Sequence, residues 1–350
     1  TAMRRPPSSR LSRSAGRTSL KDVARLAGVS TATVSRALNL PGQLDPETLS
    51  RVRDAIKRLR YVPHGAARAL RSQRSRMIGA VVPSFDYALC ARTTSALQSE
   101  LDAHGYALVL AAHHYDLATE VRVTSQLLEH DVEAFVFVGL DHDPELFALL
   151  GEFDRPYVLT WGVDTSGVHP SIGFDNRAAT FALANHILDL GHRRIGLITA
   201  PHEGNDRARE RSAGVRMALA ARGLEIPEGY DQRGPIALAS GAELMRRMLA
   251  LPEPPTAVIA TNDVFAVGAM MACREAGVRI PEDMAVTGVD NTELGATQTP
   301  GLTSVRTPIV EVGRAAAQHL IARLKGESVK FSDQLPFELV LRGSTEKPRG

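Results

Sequence analysis

The residues with the most specific chemical potential lie in GVSTATVSRALN (28–39). Ser30 is a favourable helix N-cap, and helical spacing turns Val34 and Leu38 inward. The residues left facing outward are Thr31, Ala32, Ser35, Arg36 and Asn39. An arginine fork fits the O6/N7 pair of guanine, and a helix in the major groove presents its first residues to base edges. The pattern predicts a base-reading helix; the alternative is that Arg36 belongs to a solvated face.

Motifs of catalytic and cofactor sites are absent from the sequence. It has no GxxxxGK[ST], no GxGxxG after a strand, no HExxH and no GxSxG. Cys90 and Cys273 are far apart in sequence, which argues against a disulfide scaffold. His113, His114 and Asp116 are close together, but adjacent histidines in a strand point to opposite faces and cannot easily bind one ion. We predict no catalytic residues, no cofactor and no metal.

Charge is distributed unevenly, although 41 Lys+Arg against 39 Asp+Glu leave a net charge of only +2. Residues 1–76 contain 17 Lys+Arg and 4 Asp+Glu, whereas the remaining 274 residues contain 24 and 35. A small basic module joined to an acidic body suggests that the basic module binds a polyanion and that the body has a different function. No apolar run reaches the roughly 18 residues of a membrane span, and no signal peptide is recognisable. We expect a cytoplasmic, nucleoid-associated protein that does not bind membranes.

Three short amphipathic patterns between Leu20 and Leu59 predict a helical head. Gly28 follows the first pattern as a C-terminal glycine, and Asp45-Pro46 is typical of the start of a helix. Two helices joined by a three-residue turn that contains glycine form a helix-turn-helix. Residues 1–17, rich in Arg, Ser and Pro, are predicted to be a disordered basic tail, and residues 61–76 a linker that folds conditionally.

From Met77 onward, β-branched runs alternate with helical stretches. The predicted strands are 78–82, 106–112, 134–138, 156–160, 195–199, 257–260 and 284–289. The predicted helices include 89–104, 118–130, 177–190, 207–222 and 262–276. Such alternation specifies parallel sheets with helices on both faces, and its length exceeds what one sheet usually holds. We therefore predict two α/β lobes with a ligand site between them.

The segments TSLKDVARLAGVSTATVSRALN and LDPETLSRVRDAIKRLRYVPHGAARALR closely resemble the head of the lactose and galactose repressor (LacI/GalR) family. The resemblance continues in GFDN (173–176), LGHRRIGLI (190–198), RSAGVRMAL (211–219), TNDVFAVGAM (261–270), TGVDNTEL (287–294) and LTSVRTP (302–308). It covers nearly the whole chain. The implied fold is an N-terminal all-α three-helix helix-turn-helix head plus hinge, followed by an α/β periplasmic-binding-protein-like two-lobe effector domain with three crossovers.

The resemblance also implies domain boundaries. The expected segments are the helix-turn-helix domain 18–63, the hinge helix and linker 64–76, a first effector lobe 77–175 plus 305–335, a second lobe 176–304, and a C-terminal strand and tail 336–350.

Family roles can be placed on residues of the head and hinge. By resemblance, Thr31, Ala32 and Arg36 read bases, while Thr33, Ser35 and Asn39 lie near phosphates. Leu70 matches the hinge leucine that wedges into the minor groove, with Arg71 beside it, and such wedges kink DNA at a cost offset by added contacts. The alternative for Leu70 is packing of a small helix on the body. His64 stands where relatives usually have Asn, which puts the hinge cap in doubt.

The resemblance places effector contacts in the body. They fall on Arg211, Asn262, Asp263 and Asp290, with Ser84, Phe85, Tyr87 and Trp161 as cleft walls and Asp175 and Asn176 as rim candidates. Each contact also has a structural alternative. Asp263 could be an N-cap, Arg211 could form a surface ion pair, Asp290 could cap a strand, and Trp161, the only tryptophan, could lie in the core.

These features together predict a ligand-responsive, sequence-specific DNA-binding transcriptional regulator that is not an enzyme. We expect a repressor that binds a pseudo-palindromic operator as a homodimer, because the tail 342–350 lacks a leucine heptad. A small polar metabolite such as a sugar, sugar acid or purine would control it from the interlobe cleft. Two alternatives remain: a solute-binding sensor and a carbohydrate-modifying enzyme on the same fold.

Overall fold

The computed structural model describes residues 18–62 and 74–345 of the chain. They belong to two compact units that divide between Ser75 and Arg76. The predicted tail 1–17 and the hinge residues His64, Leu70 and Arg71 lie outside the described residues. Within the described ranges, no helix combines the length and apolar character that crossing a membrane requires.

The first unit is a small helical module. It contains α1 (Leu20–Ala27), α2 (Thr31–Asn39), a 3₁₀ turn (Pro41–Gln43) and α3 (Pro46–Leu59). Each helix starts at a residue whose side chain accepts a hydrogen bond from a backbone N–H of the first turn, and these caps are Ser19, Ser30 and Asp45. Gly28 ends α1 with φ of 63°, a conformation that only glycine adopts at little cost. The turn between α1 and α2 is therefore fixed by its own residues.

The core of the helical module takes one fully buried valine from each helix. These residues are Val23, Val34 and Val52. Because Val34 points into this core, the opposite side of α2 faces outward. The packing therefore decides which side chains of α2 are presented to solvent.

The second unit contains two six-stranded sheets, with strands numbered along the chain. The first sheet is entirely parallel and has the order β11-β5-β4-β3-β1-β2. Its strands are β1 (Met77–Val82), β2 (Ala107–Ala112), β3 (Ala134–Val138), β4 (Tyr157–Thr160), β5 (Ser171–Gly173) and β11 (Ser332–Gln334).

The second sheet has the order β12-β10-β9-β8-β6-β7 and is parallel except for the pairing of β12 with β10. Its strands are β6 (Ile195–Thr199), β7 (Asp231–Arg233), β8 (Ala257–Ala260), β9 (Ala285–Val289), β10 (Thr303–Arg306) and β12 (Glu338–Val340).

Helices cover both faces of each sheet, because successive side chains of a strand point in opposite directions. The helices of the first lobe are α4 (Ala88–Ala103), α5 (Leu117–Glu129), α6 (Pro144–Glu152) and α12 (Ile309–Leu324); those of the second are α7 (Asn176–Asp189), α8 (Asp206–Ala220), α9 (Leu238–Leu249), α10 (Asp263–Glu275) and α11 (Glu293–Ala296). In β3, Ala134, Val136 and Val138 pack with α4 and α12, whereas Phe135 and Phe137 pack with α5 and α6.

The chain passes between the two sheets three times within the described residues. The crossings lie between β5 and α7, between β10 and α12, and between β11 and β12. The first two connections are short, because α7 begins three residues after β5 ends and α12 begins three residues after β10 ends. The two lobes are thus joined along one side.

The predicted fold class is confirmed. All seven predicted strands are present to within one residue at either end, and the five named helices to within two residues. The strands β5, β7, β10 and β11 were not predicted. Each has only three or four residues, too few to display an alternating pattern.

Candidate functional site

The outward face of α2 carries the residues predicted to meet DNA. Thr31, Ala32 and Arg36 are exposed, and Thr33 and Ser35 are half-buried. Thr33 donates its N–H to Ser30 Oγ at 3.1 Å, so it stabilises the start of the helix. Asn39 is the last residue of α2. The exposed face of α2 therefore presents the guanidinium group of Arg36 beside two small side chains, Thr31 and Ala32.

The second unit contains a cleft that is partly open to solvent and has a cavity volume of about 80 Å³. Its apolar and aromatic lining includes Tyr87, Leu89, Tyr115, Trp161, Ile236 and Val264, and its polar lining consists of Asn205, Arg207, Arg211, Thr261, Asn262, Asp290 and Thr292. Most of these residues follow the carboxyl ends of strands of both sheets. Parallel α/β sheets bind ligands at this edge.

Arg211 on α8 is held in place by two hydrogen bonds and an ion pair. Its Nε donates to Asn176 Oδ1 at 2.8 Å, and its Nη1 donates to the carbonyl of Thr261 at 2.7 Å. Its Nη2 lies 3.3 Å from Asp290 Oδ1. These partners come from three different elements, and the guanidinium is buried. Arg211 is thus a preorganised donor rather than a member of a surface ion pair.

Asp290 lies directly after β9, with a φ of 111° that non-glycine residues rarely adopt. Burial raises the pKa of its carboxyl to about 7; Arg211 opposes this rise and Asp263 adds to it. Oδ1 is ion-paired with Arg211 at 3.3 Å but meets no hydrogen-bond geometry among the described residues. A buried acceptor with incomplete hydrogen bonding is costly, and such strained groups are typical of binding sites.

Trp161 follows β4 and combines two roles. Its ring packs in the core of the first lobe, and it also lines the cleft. Its φ of 69° is in the left-handed region. The indole Nε1 is buried and has no acceptor within the part of the chain that the structure describes. The cleft therefore offers one unsatisfied donor beside the Asp290 carboxyl, whose Oδ1 is ion-paired with Arg211.

Asp263 lies beside the cleft but does not line it. Its Oδ1 accepts a hydrogen bond from the Ser304 hydroxyl at 2.6 Å, and its Oδ2 accepts one from the Thr292 hydroxyl at 2.9 Å. The N-cap of α10 is its neighbour Asn262, which accepts from the N–H of Phe265 and does line the cleft. Asp263 thus fixes the loop that carries Asp290 instead of meeting a ligand directly.

Two predicted wall residues also lie outside the cleft lining. Ser84 is buried and its hydroxyl bonds the side chain and the N–H of Asp86, so it shapes the loop before α4. Phe85 is half exposed to solvent. The two rim candidates, Asp175 and Asn176, do not line the cleft either. Asn176 holds Arg211, and Asp175 caps α7.

Sequence reasoning missed Tyr115 and Arg207 in the cleft. Arg207 precedes Arg211 by four residues, a spacing that places both side chains on one face of α8, and this was the signal available. Arg207 Nη1 donates to Asp206 Oδ1 at 2.7 Å and approaches the carbonyl of Val138 at 3.4 Å. Val138 ends β3, so this arginine reaches from the second lobe to the first.

Gly139 makes this approach possible. A Cβ atom at this position would lie 2.0 Å from Arg207 Nη1 and 2.6 Å from Asp206 Oδ1, and the φ of Gly139 is 103°. Only glycine allows a side chain so close to the backbone there.

A helix-turn-helix module together with a two-lobed, cleft-bearing α/β body defines a class of ligand-sensing regulatory protein. Comparison with known proteins agrees with this class. Residues 19–64 match the family of bacterial regulatory proteins, lacI family, and residues 184–345 match the periplasmic binding protein-like domain. The chain belongs to the lacI family of bacterial regulatory proteins.

Similar proteins span nearly the whole chain. The HTH-type transcriptional repressor CytR of Escherichia coli (strain K12) is 31% identical over 332 residues, covering 93% of this chain and 96% of CytR. The HTH-type transcriptional regulator GntR of Pseudomonas aeruginosa is 33% identical over 336 residues, covering 95% and 97%. A crystal structure of the Lac repressor dimer bound to operator and the anti-inducer ONPF matches with a TM-score of 0.84 at 28% identity, covering 94% and 99%. These relatives are transcriptional regulators and not enzymes.

Proposed function

We propose that the chain represses transcription by binding a pseudo-palindromic operator as a homodimer, under the control of a small polar metabolite in the cleft. The observation that carries this proposal is the pair of sites in one chain. α2 presents an exposed arginine on a fixed helix face. The cleft contains a buried donor, Trp161 Nε1, that lacks an acceptor among the described residues, and a buried carboxyl, Asp290, that is only ion-paired with Arg211. The Lac repressor, a dimer on its operator, supports the same assembly.

For the DNA side we assign base contacts to Thr31, Ala32 and Arg36 and phosphate contacts to Thr33, Ser35 and Asn39. The exposure of Thr31, Ala32 and Arg36 supports the first group. Leu70 and Arg71 remain proposed minor-groove contacts of the hinge. Binding to chromosomal DNA would place the protein in the cytoplasm at the nucleoid.

For the effector side we assign direct contacts to Tyr87, Trp161, Arg211, Asn262 and Asp290, which all line the cleft. Asp263 acts through Thr292 and Ser304, and so it positions the Asp290 loop. The ligand would donate a hydrogen bond to Asp290 and accept one from Trp161. A hydroxylated metabolite can do both.

The test is to select duplexes from a random pool with the full chain, and then to measure binding of the selected operator and a scrambled duplex by fluorescence anisotropy. Arg36→Ala should reduce the preference for the operator by roughly 5- to 150-fold, the equivalent of about 1 to 3 kcal/mol for one bidentate base contact. Binding to the scrambled duplex should weaken only slightly, because it depends on phosphate contacts.

Arg58→Ala is the matched control, because Arg58 is an exposed cation of the same module that lies on α3. It should weaken the binding of both duplexes about equally. Equal preference for the operator in wild type and Arg36→Ala would remove Arg36 as a base reader. Failure to enrich any sequence would overturn the function.

A further inference from the structure

The charge of the cleft differs from that of the body around it. Residues 77–350 carry more acidic than basic side chains, 35 against 24. The cleft lining, by contrast, contains two guanidinium groups, Arg207 and Arg211, and one carboxyl group, Asp290. Burial also raises the pKa of Asp290 to about 7, so part of its negative charge is missing at neutral pH. Inside the cleft, positive charge exceeds negative charge.

Arg207 occupies a position where a buried cation is unfavourable. It is the second residue of α8, and the N-terminal end of a helix repels positive charge. Its residue surface is only 6% exposed, so little water solvates it. Burial alone would lower the pKa of Arg207, but Asp206 and Tyr115 raise it above its ordinary value. The guanidinium therefore remains charged, and it needs anionic partners.

Arg207 bonds Asp206, the Val138 carbonyl and Tyr115, and of these only Asp206 carries a full negative charge at neutral pH. The Asp206 carboxylate accepts from Arg207 Nη1 and faces Gly139 and Gly162. It lines a separate groove with Gly162 and Asp164, whereas Arg207 itself lines the cleft beside Tyr115. An anion in the cleft would thus approach Arg207 from a different side than Asp206. Hydrogen bonds from a buried guanidinium to an anion are among the strong ones.

The rest of the cleft fits a hydroxylated molecule. Trp161 Nε1 is a buried donor without an acceptor among the described residues, and Asp290 Oδ1 is ion-paired with Arg211 but meets no hydrogen-bond geometry there. Tyr87, Tyr115 and Trp161 add aromatic surface on which a sugar ring or a similar flat face packs.

We propose that the effector is a hydroxylated organic anion whose carboxylate or phosphate binds Arg207, while its hydroxyl groups bind Asp290 and Trp161. This inference rests on the proposed effector control, and it adds the charge and the anchoring residue of the ligand. Arg211 uses all three of its nitrogens to bind Asn176, Thr261 and Asp290. The bonds of Arg207 to Asp206 and Val138 both come from Nη1, so Arg207 is the cation we assign to the anionic group.

The test compares neutral and anionic forms of one carbon skeleton on the full chain. The probes are ribose, ribonate and ribose 5-phosphate, and glucose, gluconate and glucose 6-phosphate, titrated by calorimetry at constant ionic strength. We expect at least one anion to bind about tenfold or more tightly than its neutral parent. Whether the carboxylate or the phosphate shows this gain identifies the anionic group.

Three variants locate the effect. Arg207→Gln should reduce the affinity for the anion roughly 10- to 100-fold and leave the neutral parent nearly unchanged. Because this variant leaves Asp206 buried without its partner, the double variant Asp206→Asn/Arg207→Gln removes both charges and should show the same loss. Arg216→Gln is the matched control: Arg216 lies nine residues further along α8, bonds Asp231 and does not line the cleft. It should keep the preference for the anion.

The proposal is overturned if every neutral parent binds as tightly as its anions, or if the preference survives in the folded double variant. Operator binding distinguishes this failure from failure of the proposed function. A neutral sugar that binds and changes operator affinity would leave effector control intact and reject the anion site. An anion that binds through Arg207 without changing operator affinity would support the site and reject effector control.

Discussion

At the scale of single residues, Asp290 is the group whose charge depends most on the fold. Burial raises its pKa from 3.8 to about 7. Between pH 3.8 and about pH 7, Asp290 keeps its proton in the folded chain but has lost it in the unfolded chain. The stability that Asp290 contributes is therefore fully present below about pH 4 and lost as the pH rises through about 7.

This shift predicts a pH effect on stability that Asp290→Asn removes. Between pH 5 and pH 8 the wild type should lose about 2 kcal/mol of unfolding free energy relative to the variant, because a shift of one pKa unit corresponds to about 1.4 kcal/mol. Denaturant unfolding of both proteins across this range measures the difference. The pKa of Asp263 is also raised, to about 6, and Asp263 titrates in both proteins. Parallel pH profiles for the two proteins would show that Asp290 stays ionised in the fold.

The residue scale also shows what sequence reasoning can and cannot locate. Asn262 and Asp290 follow strands and Arg211 lies in the second turn of α8, and all three line the cleft. Asp263 is adjacent to Asn262 in sequence, yet its side chain turns toward Ser304. Which of two neighbouring polar residues faces the ligand depends on the helix cap. That choice is made by the tertiary hydrogen bonds and not by the local pattern.

At the scale of elements, α8 carries the cleft chemistry on one face and the contacts between lobes at its first turn. Arg209 makes a bidentate ion pair with Asp141, which follows β3 in the first lobe, at 2.7 and 2.8 Å. The carbonyl of Val138 approaches Arg207 from the same loop region. Helix-period sequence predicted α8, but the residues of the first lobe that meet its first turn are brought there by the tertiary fold. Short strands were the part of the fold that sequence patterns described least.

We predict that the Arg209–Asp141 pair favours closure of the cleft. Asp141→Asn should weaken effector binding by about 1.5- to 5-fold, since partly exposed ion pairs contribute about 0.2 to 1 kcal/mol. Unfolding free energy should change by less than about 1 kcal/mol. Calorimetry of the tightest anion measures the first quantity, and small-angle scattering of the unliganded chain should show a larger average radius if the cleft opens.

Arg216→Gln is the control for this prediction. It breaks a pair with Asp231 that has the same cation exposure, 46%, and a similar distance, 2.6 Å, but both partners belong to the second lobe. Its effector affinity should equal that of the wild type. A loss of the same size in both variants would assign the effect to general weakening of α8 and not to closure.

At the scale of the whole molecule, the N-terminal part and the larger remainder carry opposite net charge. The basic residues concentrate in 1–76 and the acidic residues in the larger remainder. A polyanion is therefore attracted to one end of the chain, and the positive cleft is a local exception in an acidic body. This division was readable from the sequence, because charge counts do not depend on how the chain folds. The position of Arg207 in the cleft could not be predicted from the sequence, because it depends on the space that Gly139 leaves for the side chain.

The same division predicts reciprocal coupling between the two sites. If the effector changes operator affinity by some factor, the operator must change effector affinity by the same factor, because both sequences of binding reach one complex. We expect a factor of roughly 5 to 150. Operator affinity with and without saturating effector, and effector affinity with saturating operator or with scrambled duplex, give the two values independently. Arg36→Ala should leave effector affinity in the absence of DNA unchanged, since Arg36 lies in the other compact unit. Unequal factors would mean that another equilibrium, such as dimer dissociation, takes part. If both factors equal one, ligand binding in the cleft and DNA binding are independent of each other.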